Sequence, residues 1–420
     1  MWTRPEHFVL IHPSQLVIGL FVDIELPWSD HPFLYSKFRI TSAEQIAEIQ
    51  ALGLPKIKYF PNRSTTGPGL IVETPPVAST PAVTAQVPHR DTFQEEKKAK
   101  LQAQKDSARR AERGWENAAK QTREALAGLS QNPKMAGQLL AKLSAETAEK
   151  VSSGGEILIH LLGDKKGEGP QFHALNVMTL SMILGKSLKL TEGELSDLAL
   201  GALAHDVGKA RIPPHLLKAK TRAKHEEDFY RAHVQYGLEL AREAGMFSAG
   251  SLAIIGDHHE FLNGSGFPRG NRKPSPMAQI VGLVNRYDRL CSPESPDKPS
   301  LMPAEALSVL FAREADKFDE KLLGLLIKSL GVYPPGTIIM LNDGSLGLVV
   351  SPGRQSLRPE ILIYDPDVDK TDAIVIDMSD TPDLKIEESI RPANLPSDVL
   401  FWLNPRQRLS YFFSMESATD

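Results

Sequence analysis

The chain has 420 residues, which at about 150 residues per domain indicates two or three domains. Its 41% of hydrophobic and 24% of charged residues are typical of a soluble globular protein. A formal net charge of −4 gives no global positive field that would recruit nucleic acid or acidic membranes. The one cysteine, Cys291, excludes an internal disulfide and a metal cage built from several thiolates.

The amino-terminal part predicts a small α/β domain over residues 1–62. Residues 8–11 are rich in Val, Leu and Ile, and residues 56–60 alternate between polar and apolar side chains, so both segments predict strands. Ser42 precedes a segment of helical periodicity and predicts an N-cap. Five prolines among small and polar residues then predict an extended linker over residues 63–90.

Residues 91–150 predict a charged helical segment, with a capping box at Thr92 to Glu95 as its start. The apolar stripe of its first helix is thin. This helix is therefore either a signalling or dimerisation helix or a solvated connection between domains. Residues 331–420 predict a β-rich extension and tail, because two apolar runs flank an Asn-Asp-Gly-Ser turn that starts at Asn342.

The sequence offers no segment of about 18 uninterrupted apolar residues, which a membrane-spanning helix needs. The first residues include a proline and an acid and lead into no long apolar run, so they do not form a signal-peptide pattern. We therefore expect a soluble, cytoplasmic protein with neither a membrane nor nucleic acid as a partner.

Histidines concentrate in the helical region at residues 151–330. Five of the twelve histidines occupy helices or helix ends, namely His173, His205, His233, His258 and His259. Asp206 follows His205 at the end of an apolar run, and a buried His-Asp pair is costly unless it is paired or bound to metal. One imidazole can bind one metal while the adjacent carboxylate bridges two. Such a dispersed set predicts a metal site in the core of a helical bundle.

This order of residues resembles the HD-GYP family, the branch of the HD phosphohydrolases that hydrolyses cyclic di-GMP in bacteria. The resemblance covers about residues 155–345 and includes the segment from Ala204 to Pro213 and the loop from His258 to Gly270. Residues 8–60 resemble the N-terminal domain of unknown function that often precedes HD-GYP domains.

The resemblance implies a mainly α fold: a helical HD-type metallophosphohydrolase core between a small α/β domain and a short β-rich extension. It also implies two divalent metal ions, commonly iron or manganese. The positions that match metal ligands are His173, His205, Asp206, His233, His258, His259 and Asn285. Asp206 would bridge the metals, and Lys209 matches a lysine near the scissile phosphate. The expected substrate-binding residues are Lys209, Gly266, Phe267, Pro268 and Arg269.

The chain departs from the family at the last metal ligand. An aspartate of the family is replaced by Asn285, whose amide oxygen is a neutral and weaker ligand, and Asp288 then takes a second, non-ligand position. In the alternative alignment Asp288 itself turns inward as the ligand. Gly169 stands where members with three metals have a glutamate, with Glu168 beside it, so two metals are expected.

Two further departures concern the substrate. Phe267 replaces the tyrosine of the family's Gly-Tyr-Pro loop, which removes a hydroxyl and keeps the ring. The stretch at 292–299 is only weakly basic, although its counterpart commonly meets nucleotide phosphate. Glu260 is expected to accept a hydrogen bond from His258 or His259, because ligating imidazoles need an acceptor. The alternative is that Glu260 is a solvated side chain.

Three functions remain open from the sequence. The first is a metal-dependent phosphodiesterase that converts cyclic di-GMP to the linear dinucleotide or GMP. The second is a nucleotide-binding or protein-interaction module of little turnover, which Asn285 and Phe267 favour. The third is an HD phosphohydrolase for another nucleotide, because fold and metal site do not set the substrate. Expected partners are cyclic di-GMP, a diguanylate cyclase or other signalling proteins, and a second copy of the chain.

Overall fold

The structure, a computed structural model, describes residues 7–26, 31–33, 36–69, 89–153, 157–158, 169–295, 297–355, 357–366, 368–370, 373–403 and 412–413. Most of the predicted linker, and Glu168, lie outside these residues. The chain divides into two compact units. One comprises Met1–Asp106, Ile338–Leu348 and Ile361–Asn404, and the other comprises Ser107–Thr337, Val349–Glu360 and Pro405–Asp420.

The amino-terminal residues form a small antiparallel sheet with one helix. Its elements are β1 (Val9–Ile11), β2 (Phe21–Asp23), β3 (Lys37–Arg39), α1 (Ala43–Ala51) and β4 (Ile57–Tyr59), and the strand order is β1-β4-β2-β3. The Ser42 hydroxyl accepts a hydrogen bond from the amide of Gln45, so the predicted N-cap is present. Ile49 of α1 is fully buried in the core of this sheet.

A long helix and a compact bundle follow. The helices are α2 (His89–Gly128), α3 (Pro133–Ser152), α4 (Pro170–Ser187), α5 (Glu192–Ala204), α6 (Pro214–Lys218), α7 (Lys224–Arg231), α8 (His233–Ala244), α9 (Ala249–Asp257), α10 (Pro276–Cys291), α11 (Pro303–Arg313) and α12 (Glu320–Leu330). A 3-10 turn, Val207–Arg211, follows α5, and a short antiparallel pair joins β5 (Ile157–Leu158) to a carboxy-terminal strand, Phe412–Phe413. Helix α2 begins at His89, so the predicted start at Thr92 is wrong: the helical backbone continues past the capping-type residue by one turn.

The bundle core forms because α4 and α5 carry almost unbroken runs of small and apolar residues. Gly201 of α5 permits this packing, since a Cβ there would lie 2.6 Å from Ile254 of α9. On its outer side, Trp115 of α2 stacks on Phe172 of α4 with ring centroids 4.6 Å apart. The second half of α2 therefore packs against the bundle.

The carboxy-terminal region contains a sheet of order β10-β6-β7-β8-β9 and a last helix. Its elements are β6 (Ile338–Leu341), β7 (Leu346–Gln355), β8 (Arg358–Ile363), β9 (Val375–Asp377), β10 (Ile386–Ile390) and α13 (Ser397–Leu403), and we number the strand at Phe412–Phe413 β11. The predicted hairpin is present, with Ile338 opposite Leu348 and Gly344 at a φ of 79° in the turn.

The predicted fold class is thus confirmed: a helical core is combined with small sheets in the amino- and carboxy-terminal regions. Across the part of the chain that the structure describes, no helix combines the length and the apolarity that a membrane span requires.

Candidate metal centre

Three histidines sit where helices end, and this position fixes their rings. The last carbonyl groups of a helix have no partner within the helix. Each of these imidazoles uses Nδ1 to donate a hydrogen bond to the carbonyl oxygen three residues earlier. The acceptors are Ala202 (2.7 Å from His205), Tyr230 (2.7 Å from His233) and Ile255 (2.9 Å from His258). Because Nδ1 then carries the proton, Nε2 keeps a lone pair for a metal.

His173 reaches the same place from the first turns of α4. Its Nδ1 lies 2.6 Å from Oδ2 of Asp288, and Nδ2 of Asn176 donates to Oδ1 of the same carboxylate at 2.9 Å. Burial alone would raise the pKa of Asp288, but the contact with His173, the hydrogen bond from Asn176 and the charge of Arg289 together outweigh it and lower that pKa. Asp288 therefore orients a candidate ligand, as carboxylates behind metal-bound histidines do. This contact accords with the non-ligand position that the first alignment gives Asp288.

Asp206 lies between two groups of donor atoms. One group is His173, His205 and Asp206, and the other is Asp206, His233, His258 and His259, with the donor atoms in each group within 4.8 Å of one another. Oδ2 of Asp206 lies 3.5 Å and 3.4 Å from Nε2 of His173 and His205. Oδ1 lies 3.5 Å and 3.8 Å from Nε2 of His233 and His258. One carboxylate thus presents one oxygen to each group.

The donor atoms of this centre fit metal ions. Within the described residues, buried polar atoms without a hydrogen-bond partner include Oδ1 of Asp206, Oδ1 of Asn285 and Nε2 of His233, His258 and His259. Buried polar atoms are costly to leave unpaired, and the three imidazoles of this set share one donor group with Asp206. Imidazole and carboxylate donors without thiolate suit Fe, Mn, Co or Zn and do not choose among them.

The charge states also suit metal binding at neutral pH. Burial lowers the pKa of His205 to about 4 and that of His233 to about 3, and it lowers the pKa of His259 well below its usual value. These imidazoles are therefore neutral at pH 7. Burial would raise the pKa of Asp206, but the charge of Lys209 and the contacts with His205 and His173 together outweigh it and hold that pKa well below its usual range.

Helix α10 presents one face to the centre. Gly282 packs on the His258 turn, since a Cβ there would lie 2.8 Å from the carbonyl oxygen of His258. Asp288 and Arg289, about two turns further on, bond to His173 and Asp206. Asn285 lies between them at helical spacing and so shares this face. The predicted ligand position of Asn285 is compatible with its buried, unpaired amide oxygen.

Two cations bond to the same oxygen of Asp206 that faces His173 and His205. Nζ of Lys209 is 2.8 Å and Nη2 of Arg289 is 2.7 Å from Oδ2 of Asp206. Burial and the nearby Arg289 would lower the pKa of Lys209, but Asp206, Tyr230 and Glu294 outweigh them and raise it, so Lys209 is protonated. From the sequence, Arg289 flanks Asn285 and is a candidate for contact with phosphate, with an exposed basic side chain as the alternative. Its signal is the spacing of one helical turn from Asn285.

The loop after His259 folds back over this histidine. The Phe267 ring stacks on the His259 ring, with centroids 4.4 Å apart and planes 23° apart, and the Phe267–Pro268 peptide is cis. The Phe267 amide donates to the His259 carbonyl oxygen at 3.1 Å. Gly266 has no space for a side chain, since a Cβ would lie 2.6 Å from the Glu260 Cα. The loop therefore holds His259 in place.

The expectation for one neighbouring residue, Glu260, is wrong. Glu260 does not accept from His258 or His259. Its carboxylate accepts the backbone amides of Arg269 and Asn271, both at 2.8 Å, because the returning loop brings these donors closer. The Arg269 guanidinium pairs with Asp257, and its substrate-binding role stays a prediction.

The comparisons with known proteins agree with this centre. A family model described as a domain of unknown function, DUF3391, matches residues 9–138, and a model described as HD domain matches residues 156–322. The chain carries a DUF3391 domain followed by an HD domain. The resemblance stated from the sequence is thereby confirmed. The HD domain contains both donor groups, and its match covers every predicted metal-ligand position.

Several curated relatives match part of the chain. A cyclic di-GMP phosphodiesterase of Pseudomonas aeruginosa is 29% identical over 196 residues, which are 46% of this chain and 47% of that protein. The cyclic di-GMP phosphodiesterase response regulator RpfG of Xanthomonas campestris is 30% identical over 35% of this chain and 39% of its own. A 3'3'-cGAMP-specific phosphodiesterase of Vibrio cholerae is 26% identical over 41% of this chain and 37% of its own. The chain thus aligns with less than half of the length of these relatives.

Among solved structures, a Bdellovibrio bacteriovorus protein described as an HDG"Y"P protein aligns with 76% of this chain and 98% of its own, at 18% identity and a TM-score of 0.39.

Proposed function

We propose that the HD domain is a metal-dependent phosphodiesterase that hydrolyses cyclic di-GMP to the linear dinucleotide or GMP in bacterial second-messenger signalling. The observation that carries the proposal is the pair of donor groups that share Asp206, with Lys209 on the same carboxylate. Relatives named as cyclic di-GMP phosphodiesterases support the substrate. A cytoplasmic location belongs to the same proposal.

His173, His205 and Oδ2 of Asp206 would hold one divalent ion, and His233, His258, His259 and Oδ1 of Asp206 the other. Iron or manganese is proposed for both. Such ions lower the pKa of a bound water and neutralise phosphate oxygens. Asn285 would add a neutral oxygen ligand.

The remaining residues act on the substrate and on the ligands. Lys209 carries a fixed positive charge beside the centre, and we assign it to the negative charge that develops on the phosphate. Phe267 positions His259, and we assign Gly266, Phe267 and Pro268 to the rim that receives the nucleotide. Asp288 keeps His173 in the tautomer that offers Nε2.

A second candidate substrate is 3'3'-cGAMP, which the name of the Vibrio cholerae relative favours. A third candidate function, nucleotide binding with little turnover, is favoured by the neutral Asn285 at a ligand position. Both candidates use the same metal centre, so the experiment must separate substrate from turnover.

The test is hydrolysis by anaerobically purified protein supplied with Fe²⁺ or Mn²⁺, with cyclic di-GMP and 3'3'-cGAMP assayed in parallel. We expect metal-dependent hydrolysis of cyclic di-GMP that disappears in His205→Ala. Preferred hydrolysis of 3'3'-cGAMP would support the second candidate. Tight nucleotide binding without hydrolysis would support the third, and hydrolysis that persists in His205→Ala would refute the assignment of the site.

A further inference from the structure

Two cations share one carboxylate oxygen at the centre. Lys209 and Arg289 both bond to Oδ2 of Asp206, at 2.8 Å and 2.7 Å. The same oxygen faces Nε2 of His173 and His205, where a metal ion would take it as a ligand. A metal ion at that oxygen would weaken its bonds to both cations, because the ion would draw on the same negative charge. Lys209 and Arg289 would then present donors beside the centre.

Glu294 is the second acceptor for these cations. Its Oε1 lies 3.4 Å from Nζ of Lys209 and 3.9 Å from Nη2 of Arg289, and its Oε2 accepts from the Tyr230 hydroxyl at 3.2 Å. The side chains of Arg289 and Glu294 are 23% and 24% exposed, whereas that of Lys209 is 10% exposed. Solvent therefore reaches the cluster on the side of Arg289 and Glu294, so a ligand that enters from that side meets Arg289 early.

We propose that Arg289 is a second phosphate-binding residue beside Lys209, and that Glu294 is the counter-ion that holds Arg289 when no phosphate is bound. The proposal rests on the proposed function for the identity of the substrate. A guanidinium offers several donors in one plane and binds phosphate through two of them. A phosphodiester oxygen would replace Asp206 as the hydrogen-bond acceptor of Arg289. Glu294 would compete with the phosphodiester for the Arg289 guanidinium.

The same helix supplies a matched control. Arg286 lies three residues before Arg289 and forms a two-point ion pair with Glu314, with its Nε 2.8 Å from Oε2 of Glu314. Its partner Glu314 does not belong to the donor groups around Asp206. Arg286→Gln therefore removes a guanidinium and an ion pair from α10 without touching the centre.

The experiment measures phosphate affinity and metal content together. Inorganic phosphate is titrated calorimetrically into Mn²⁺-loaded protein, and the KM and kcat for cyclic di-GMP are measured on the same samples. In Arg289→Gln we expect the phosphate Kd and the KM to rise about tenfold to a hundredfold, as the loss of a charge-assisted hydrogen bond predicts, with bound metal unchanged. Arg289→Lys should recover part of the loss, and Arg286→Gln should match the wild type.

Glu294→Gln should change the phosphate affinity in the opposite direction to Arg289→Gln. It removes the competing acceptor, so phosphate should bind several-fold more tightly. If the ion pair is merely structural, Glu294→Gln and Arg289→Gln should both weaken binding. That result would overturn the proposal. Equal losses in Arg286→Gln and Arg289→Gln, an unchanged phosphate Kd in Arg289→Gln, or loss of metal from that variant would also overturn it.

The proposal and the proposed function can fail separately. If the wild type hydrolyses no cyclic dinucleotide but Arg289→Gln still weakens phosphate binding, the function fails and the phosphate-binding role holds. If hydrolysis is present with an unchanged KM and phosphate Kd in Arg289→Gln, the function holds and the role of Arg289 is refuted. If Arg289→Gln does not fold, the phosphate Kd values of Arg289→Lys and Glu294→Gln test the role of Arg289.

Discussion

Gly208 connects the metal centre to the packing of the fold. It lies two residues after Asp206, in the 3-10 turn that packs on the first turn of α8. A Cβ at Gly208 would lie 2.5 Å from the amide nitrogen of Gly237 and closer still to the carbonyl oxygen of His233, whereas real Cβ atoms essentially never approach below 3.0 Å. Gly208→Ala must therefore move the α8 backbone, and His233 with it, by at least about 0.5 Å.

We expect Gly208→Ala to lower the free energy of unfolding by about 2 kcal/mol or more, because the new methyl group meets backbone atoms that cannot rotate away. Displacement of His233 should also reduce bound metal and lower hydrolysis by about a hundredfold. The assays are chemical denaturation, metal analysis and turnover. Gly193→Ala is the control, since nothing lies within 4 Å of a Cβ there and the position is an exposed helix start. Wild-type stability and metal content in Gly208→Ala would refute the reasoning.

Three further predictions concern single interactions. Asp288→Asn should weaken metal binding about tenfold to a hundredfold, because His173 loses its charged acceptor. The metal affinity is measured by competition with a chelator, and an unchanged affinity would contradict this role of Asp288. Phe267→Leu should lower hydrolysis several-fold while Phe267→Tyr keeps it, because the ring that stacks on His259 is what matters; equal activity in both variants would count against it. In metal-free protein the pKa of His205 is about 4 in the folded state and 6.5 in the unfolded state. The unfolded state therefore binds more protons between these pH values, and the free energy of unfolding falls as the pH drops from 6.5 to 4. This effect lowers the free energy of unfolding by about 3 kcal/mol at most. In His205→Gln the free energy of unfolding, measured by chemical denaturation at each pH, should fall less steeply between pH 6.5 and pH 4. An equally steep fall in the variant and the wild type would contradict this prediction.

The sequence predicted the features that depend on neighbouring residues. The Ser42 cap and the hairpin turn at Asn342 are local, because each is set by a few residues and their turn chemistry. His205 and His258 were also visible, because each stands at the end of an apolar helical run, where a free carbonyl group accepts a hydrogen bond from its Nδ1.

The contacts that cross the bundle could not be predicted. Glu294 contacts Lys209, which is 85 positions away in the sequence, and Asp288 contacts His173, which is 115 positions away. Such partners are chosen by tertiary packing, which a single sequence does not specify. Glu260 was misjudged for the same reason, since the loop that returns over it supplies backbone donors.

The central claim is that Asp206 joins two metal sites. Its most direct test is metal counting after reconstitution with Mn²⁺ in the wild type, His173→Ala, His259→Ala and Asp206→Ala. The account predicts about two ions in the wild type, about one in each histidine variant and fewer than one in Asp206→Ala. Two ions retained in Asp206→Ala, or simultaneous loss of both ions in His259→Ala with the protein still folded, would contradict it.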